Sequence, residues 1–341
     1  MNESNLVRRA LNGDIEPTDA YNLLVSDRVD LETLENVAFE ISKSWHNAQV
    51  MLDGFIGGVL KCYAKPICFF CHRHLLSGDE MSADELTSAM EYLLKKGVKH
   101  AELGVGAVQA DGGKRLLEIL KLCNNNYPEM GVWVKVGYGF DLTYAANLTR
   151  IDNIEFVALA LEIFDEALHR VLKPGDDLSF KLRLLDHLDK LHLPLGCILV
   201  CGLGETLDSY LRLFKLLKFL RNLRYIALCP FTPVATSPLA NKPPCEEAFW
   251  RRLTCILRIM LPHVEMHSGH SLKALRLALK AGANRFVHFG LSIYHKSVAD
   301  HLHSHKIGGN MEKLSGNLYV HDLRSFSSKI ATDLGLRVTW G

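Results

Sequence analysis

The sequence has no long apolar run. No window reaches the roughly 18 uncharged apolar residues that a bilayer-spanning helix needs, so a membrane helix is excluded. It also lacks any excess of one charge. Its 39 Lys and Arg stand against 38 Asp and Glu, a formal net charge of +1. Bulk electrostatics therefore offer nothing to a nucleic acid or an anionic membrane surface. The opening residues, MNESNLVRRALNGDIEP, lack an apolar signal core and read as a polar helix. The expected compartment is the cytoplasm, where thiols stay reduced. The nine cysteines are then expected as apolar core residues or metal ligands rather than disulfides. No stretch has the composition of a dividing linker. SPLANKPPCEE (237–247) is the most loop-like segment and reads as a βα loop.

What is present is an alternation. The 341 residues suffice for one large α/β domain or two ordinary ones. Short β-rich apolar runs occur at 55–62, 98–105, 131–137, 155–160, 194–201, 224–230, 263–267 and 284–290. Most lack period-2 alternation, which suits strands covered on both faces of a parallel sheet. Amphipathic stretches lie between them. SADELTSAMEYLLKKG (82–97) opens with a capping box, Ser82 with Glu85, and closes at Gly97. Eight strands alternating with helices predict a (β/α)8-type barrel, closed or partial, with a doubly wound open sheet as the rival. The expected organisation is a helical extension over 1–50, a barrel over 51–295, and a C-terminal helix and short strand within 296–341 packed beside it.

The segment KCYAKPICFFCHRH (61–74) carries Cys62, Cys68 and Cys71 in a C-x5-C-x2-C spacing, with no fourth cysteine nearby. Cys62 falls at the end of the first predicted strand, so the three thiols belong on a loop over the barrel mouth, where such barrels carry their chemistry. Cys123, Cys197, Cys201, Cys229, Cys245 and Cys255 read as core residues. Two metal readings of the triad stand side by side. Zinc wants four ligands, and His72 or His74 can complete a Cys3His site. An iron–sulfur cluster usually takes four thiolates, and three would leave one iron open to another ligand.

With these residues in view, the chain resembles the radical S-adenosylmethionine (SAM) superfamily, whose members carry a three-cysteine loop after the first barrel strand with an aromatic residue before the last cysteine. Phe70 fills that position. The later motifs resemble the biotin synthase-like branch, which includes methylornithine synthase and an [FeFe]-hydrogenase maturase. ALEIFDEALHRVLKPGDD (160–177) matches its fourth-strand segment, SFKLRLLDHL its arginine-bearing helix, GCILVCGLGET (196–206) its glycine motif, CPFTPVATSPL (229–239) its sixth-strand segment, and ALKAGANRFVHFG (278–290) its last-strand segment. The first cysteine gap is two residues longer than usual. That variant is the pattern of the [Fe]-hydrogenase maturation family HmdB, also called HcgA, implicated in building the iron-guanylylpyridinol cofactor of methanogens.

The resemblance implies a [4Fe-4S] cluster on Cys62, Cys68 and Cys71 and S-adenosylmethionine as the second cofactor. It implies SAM contacts at Glu162, at Arg183, and at the backbone near Leu103 and Gly104, with Tyr138 lining the substrate space. A salt bridge between Glu162 and Arg183 is the structural alternative. The implied partners are a small-molecule substrate and a one-electron reductant such as ferredoxin or flavodoxin, with no nucleic acid and no membrane. Glu102, in the second strand, reads either as a SAM contact or as a strand residue facing polar surroundings. His267 and His270 are candidates for a substrate acid or base. His301, His303 and His305 read as a solvated loop or helix end.

Overall fold

The computed structural model describes residues 3–26, 29–76, 78–269, 271–299 and 311–341. His270, His301, His303 and His305 lie outside them. In chain order the strands are β1 (Gln49–Leu52), β2 (Gly54–Leu60), β3 (His100–Val105), β4 (Gly131–Val136), β5 (Ile154–Glu162), β6 (Leu195–Cys201), β7 (Leu223–Pro230), β8 (Glu265–Ser268), β9 (Arg285–Phe286), β10 (Leu291–His295), β11 (Met311–Ser315), β12 (Leu318–Asp322) and β13 (Arg337–Trp340). The large sheet runs β11-β12-β10-β2-β3-β4-β5-β6-β7-β8. From β10 to β8 every neighbouring pair is parallel.

The strands are linked by α4 (Ala83–Lys95), α5 (Lys114–Asn126), α6 (Leu142–Leu148), α7 (Glu166–Leu172), α8 (Leu178–Lys190), α9 (Leu207–Phe219), α10 (Glu247–Met260) and α11 (Leu272–Lys280), after α1 (Glu3–Leu11), α2 (Pro17–Val25) and α3 (Leu31–Trp45). Ser82 caps α4 through the capping box read from the sequence, with Glu85 bonding back to the Ser82 backbone N–H.

Alternation sorts the strand side chains into two layers. Ile56, Leu103, Val132, Val134, Ile226 and Ile293 join the large core between sheet and helices. Phe55, Trp133, Phe156, Tyr225 and Tyr294 turn inward and fill the lower lumen. Trp133 stacks on Phe156 at 4.7 Å, and Phe156 on Tyr225 at 4.6 Å.

The eighth barrel strand differs from the expectation. Within 284–290 only Arg285–Phe286 is extended, and it pairs with β1 in a small sheet with β13. The barrel's last strand is the following segment, β10, beside β2. Among the described residues no ladder joins β8 to β10, so the barrel is partial. The seam is stitched at its lower end by Asn284. Its backbone N–H donates to Met266 O at 2.9 Å. Its Oδ1 accepts from Met266 N at 3.0 Å and from buried Arg258 Nη2 at 2.7 Å. The C-terminal helix (Arg324–Thr332) and β13 match the expectation, while the β11–β12 hairpin does not appear in it.

Candidate functional site at the barrel mouth

The cysteine loop begins two residues after β2 and is clamped from both sides. A Cβ added to Gly106, just beyond β3, would lie 2.1 Å from Cys62 Cα. One added to Gly175, in the turn between α7 and α8, would lie 2.4 Å from Pro66 O. Only glycine permits either approach. Backbone bonds lock the fit: Gly106 N–H donates to Leu60 O at 3.0 Å, Tyr63 N–H to Val108 O at 3.0 Å, and Phe69 N–H to Leu172 O at 2.8 Å. Phe70 is buried against Ile163, Leu172, Leu203 and Phe231. The aromatic position of the motif thus anchors the loop by packing.

Cys62, Cys68 and Cys71 are free and half-buried. Cys71 N–H donates to Cys68 O at 3.0 Å, closing a turn between the last two. Burial, then the Glu162 carboxylate, pushes the Cys68 thiol well above its ordinary range. Burial likewise pushes Cys71 up to about 11, with Glu162 and Cys62 adding to it. Unliganded, these thiols hold their protons, and a bound cation must displace them. Among the described residues no three His, Cys, Asp or Glu side chains converge on one ion position. His74 Nε2 is engaged by Cys68 O at 3.1 Å.

Behind the loop lies a charged network that sequence reasoning missed. Glu162 ends β5 with φ of 57°, the left-handed region. Its carboxylate pairs with Lys173, not with Arg183 as the structural alternative held. Lys173 Nζ also lies 2.5 Å from Asp176, and Lys181 Nζ lies 2.7 Å from the same carboxylate. Lys181 donates further to Ala160 O at 2.6 Å. Lys173, Lys181 and Asp176 are almost wholly buried, whereas Glu162 is about one-fifth exposed at 21%. Glu162 is the network's one accessible carboxylate, presented beside the cysteines. Burial opposes the Asp176 anion, but Lys173 and Lys181 outweigh it and hold its pKa down at about 2. The available signal was lysine inside an apolar helix pattern, SFKLRLL.

The remaining expected residues are placed as follows. Leu103 is buried, and its side chain joins the outer core, so only its backbone faces β2. Gly104 lies opposite Gly57, and a Cβ there would meet Ile56 O at 2.8 Å. Tyr138 follows β4, is 39% exposed, and meets Phe180 edge-on at 5.5 Å. Arg183 is exposed on α8, its guanidinium 5.9 Å from the Phe180 ring. These three form a rim row. Glu102 is buried in an ion pair with Lys135, in keeping with the polar-surroundings reading.

His267 does not suit an acid or base role. Nδ1 accepts from Val287 N–H at 3.3 Å and Nε2 donates to Gly269 O at 2.8 Å. Burial holds its pKa down at about 4. Cys123, Cys197, Cys201 and Cys255 are buried as expected, but Cys229 and Cys245 are half-buried. Cys201 Sγ and Cys245 Sγ lie 3.8 Å apart.

Solved structures of similar architecture bear on the fold. Methylornithine synthase (PylB) superposes with a TM-score of 0.74 at 17% identity, over 98% of this chain and 97% of that one. The FeFe-hydrogenase maturase HydG from Carboxydothermus hydrogenoformans gives 0.74 at 14% identity, over 99% and 79%. In sequence, an uncharacterized protein of Methanocaldococcus jannaschii is 22% identical over 263 residues, 75% of this chain and 69% of that protein. No family model matches the chain. The fold is therefore the partial (β/α)8 barrel of methylornithine synthase and HydG, with the helical and C-terminal additions included in the match. No helix among the described residues is long and apolar enough to cross a membrane.

Proposed function

We propose that the protein is a radical SAM enzyme of the biotin synthase-like type, with a [4Fe-4S] cluster on Cys62, Cys68 and Cys71. The observation that carries this is the clamped three-thiol loop at the C-terminal end of the first barrel strand, in a fold shared along its length with methylornithine synthase. Three thiolates suit a [4Fe-4S] cluster, one at each of three irons, and would leave the fourth iron open. Cys62, Cys68 and Cys71 would hold the cluster, which would supply one-electron reduction of the SAM sulfonium for radical hydrogen abstraction from a substrate.

The chain's own residues position and shield. Lys173 and Asp176 hold Glu162 at the mouth, where its accessible carboxylate suits a ribose diol. Arg183 and Tyr138 line the rim. Phe70 and its neighbours seal one side of the mouth against water. The reductant is an external one-electron carrier such as ferredoxin or flavodoxin.

The long Cys62–Cys68 gap supports the narrower reading, a role in forming the pyridinol of the iron-guanylylpyridinol cofactor. Two variants separate the metal readings. His74→Ala keeps the iron if the cluster reading holds and releases metal if the site is Cys3His zinc. Cys68→Ser loses iron in the first case. For the narrower reading, the gene should restore [Fe]-hydrogenase activity to a methanogen lacking its own maturation protein; failure with an active SAM-cleaving protein would sink that step alone.

A further inference from the structure

Above the aromatic floor the inward positions of the barrel are not fully closed off. Gly104 on β3, Lys135 on β4, Ile198 on β6 and Cys229 on β7 all fall on inward positions, and each is partly accessible. Lys135 is two residues beyond inward-facing Trp133, and Cys229 four beyond inward-facing Tyr225. Lys135 therefore sits one inward layer above the aromatic floor, on the side of the cysteine mouth.

Lys135 Nζ lies 2.6 Å from Glu102 Oε1, with the Glu102 side chain 4% exposed and that of Lys135 26%. A buried ion pair contributes little to stability, because two charges lose their water. The inward positions beneath it are filled by Phe55, Trp133, Phe156 and Tyr225, so apolar packing is the local rule and this pair departs from it. Its polar capacity is only partly used. Among the described residues Glu102 is the one ion-pair partner of the Lys135 ammonium, a group with three donors.

We infer that Lys135 anchors a carboxylate of the substrate inside the lumen, with Glu102 aiming the ammonium from behind and the aromatic floor taking the apolar body. Burial opposes the ammonium, but Glu102 outweighs it and raises the Lys135 pKa, so the anchor is a cation. The pair is a specificity device on this account: a substrate lacking the carboxylate leaves the buried cation without its second partner. The inference rests on the radical SAM reading, which puts the reacting centre at the mouth above Lys135.

The test uses the iron-reconstituted full chain. Thermal melts are recorded with SAM alone, and with acetate, benzoate, nicotinate, L-leucine and L-phenylalanine, each beside its carboxamide. At least one carboxylate should raise the melting temperature while its amide does not. Lys135→Met should weaken that carboxylate about tenfold or more, and Lys135→Arg should keep most of the affinity. Equal binding by Lys135→Met, or no carboxylate response where SAM still stabilises, overturns the anchor. A carboxylate response through Lys135 without any SAM response keeps the anchor and overturns the radical reading.

Discussion

Lys173 is the residue whose loss the site should tolerate least. It is 1% exposed and bridges Glu162 and Asp176. Burial works against its ammonium, but the two carboxylates outweigh that and set its pKa above the ordinary lysine value. Lys173→Met would leave those carboxylates facing Lys181 alone, a loss of about 3–5 kcal/mol in urea denaturation. A loss below about 1 kcal/mol would show that the network is not held as described. A second prediction concerns Glu155 at the opposite end of the barrel. It pairs with Arg285 at 2.6 Å and with His100 at 2.9 Å. Burial raises its pKa, but the His100 and Arg285 hydrogen bonds outweigh that and bring it from 4.5 to about 2. A depressed carboxylate contributes stability above its unfolded pKa, and that contribution is lost as pH falls from 4.5 towards about 2. Glu155→Gln should therefore flatten the fall in stability between about pH 5 and about pH 3; an unchanged slope would contradict the assignment.

At the scale of elements, two contacts carry the account. Gly106 lets the cysteine loop at Cys62 and the end of β3 touch. Gly106→Ala places a methyl group within 2.1 Å of Cys62 Cα, so the loop must move. Reconstituted iron should fall well below wild type, with the far-UV spectrum retained; full iron loading would show that the clamp is dispensable. Asn284, just before β9, stitches the lower end of the seam between β8 and β10. Asn284→Ala removes acceptors for Met266 N–H and buried Arg258, and should cost about 3 kcal/mol in denaturation midpoint analysis.

These elements also show what was legible. The cysteine loop was readable because three thiols on one loop, with Pro66 and Gly57–Gly58 nearby, make poor core material. β2 to β7 were readable because doubly covered strands are apolar throughout. The eighth strand was not. NRFVHFG has the composition of a strand, yet its Arg285 is tied to Asp53, Glu155 and Glu265, and only Arg285–Phe286 pairs. LSIYH follows directly and carries the true ladder. The Glu162–Lys173 pairing was hidden because the family match pointed to Arg183, while α7 and the turn after it bring Lys173 back to the end of β5. The AGAN segment, read as a family motif, is a structural stitch here: its Asn ties β8, β9 and Arg258 together.

At the scale of the whole molecule, the N-terminal helices are not a loose appendage. Leu34, Val37, Ala38 and Ile41 of α3 are buried in the main core. Arg251 of α10 holds Glu35 through two bonds of 2.8 Å, and Arg252 donates to Leu23 O at 2.7 Å. Beside them β13 extends the small sheet against β1, so both ends of the described chain brace the base of the barrel, away from the cysteines. The mouth is left to the chemistry and the base to stability. The central claim is that the vacancy in the three-thiol set belongs to SAM. Its most direct test is anaerobic reconstitution with iron and sulfide, reduction, addition of SAM, and chromatography for 5′-deoxyadenosine and methionine. The account predicts about four irons per chain and both products in equal amounts, lost in Cys62→Ser, Cys68→Ser and Cys71→Ser. A colourless protein with stoichiometric zinc, or an intact cluster that leaves SAM uncleaved, would contradict it.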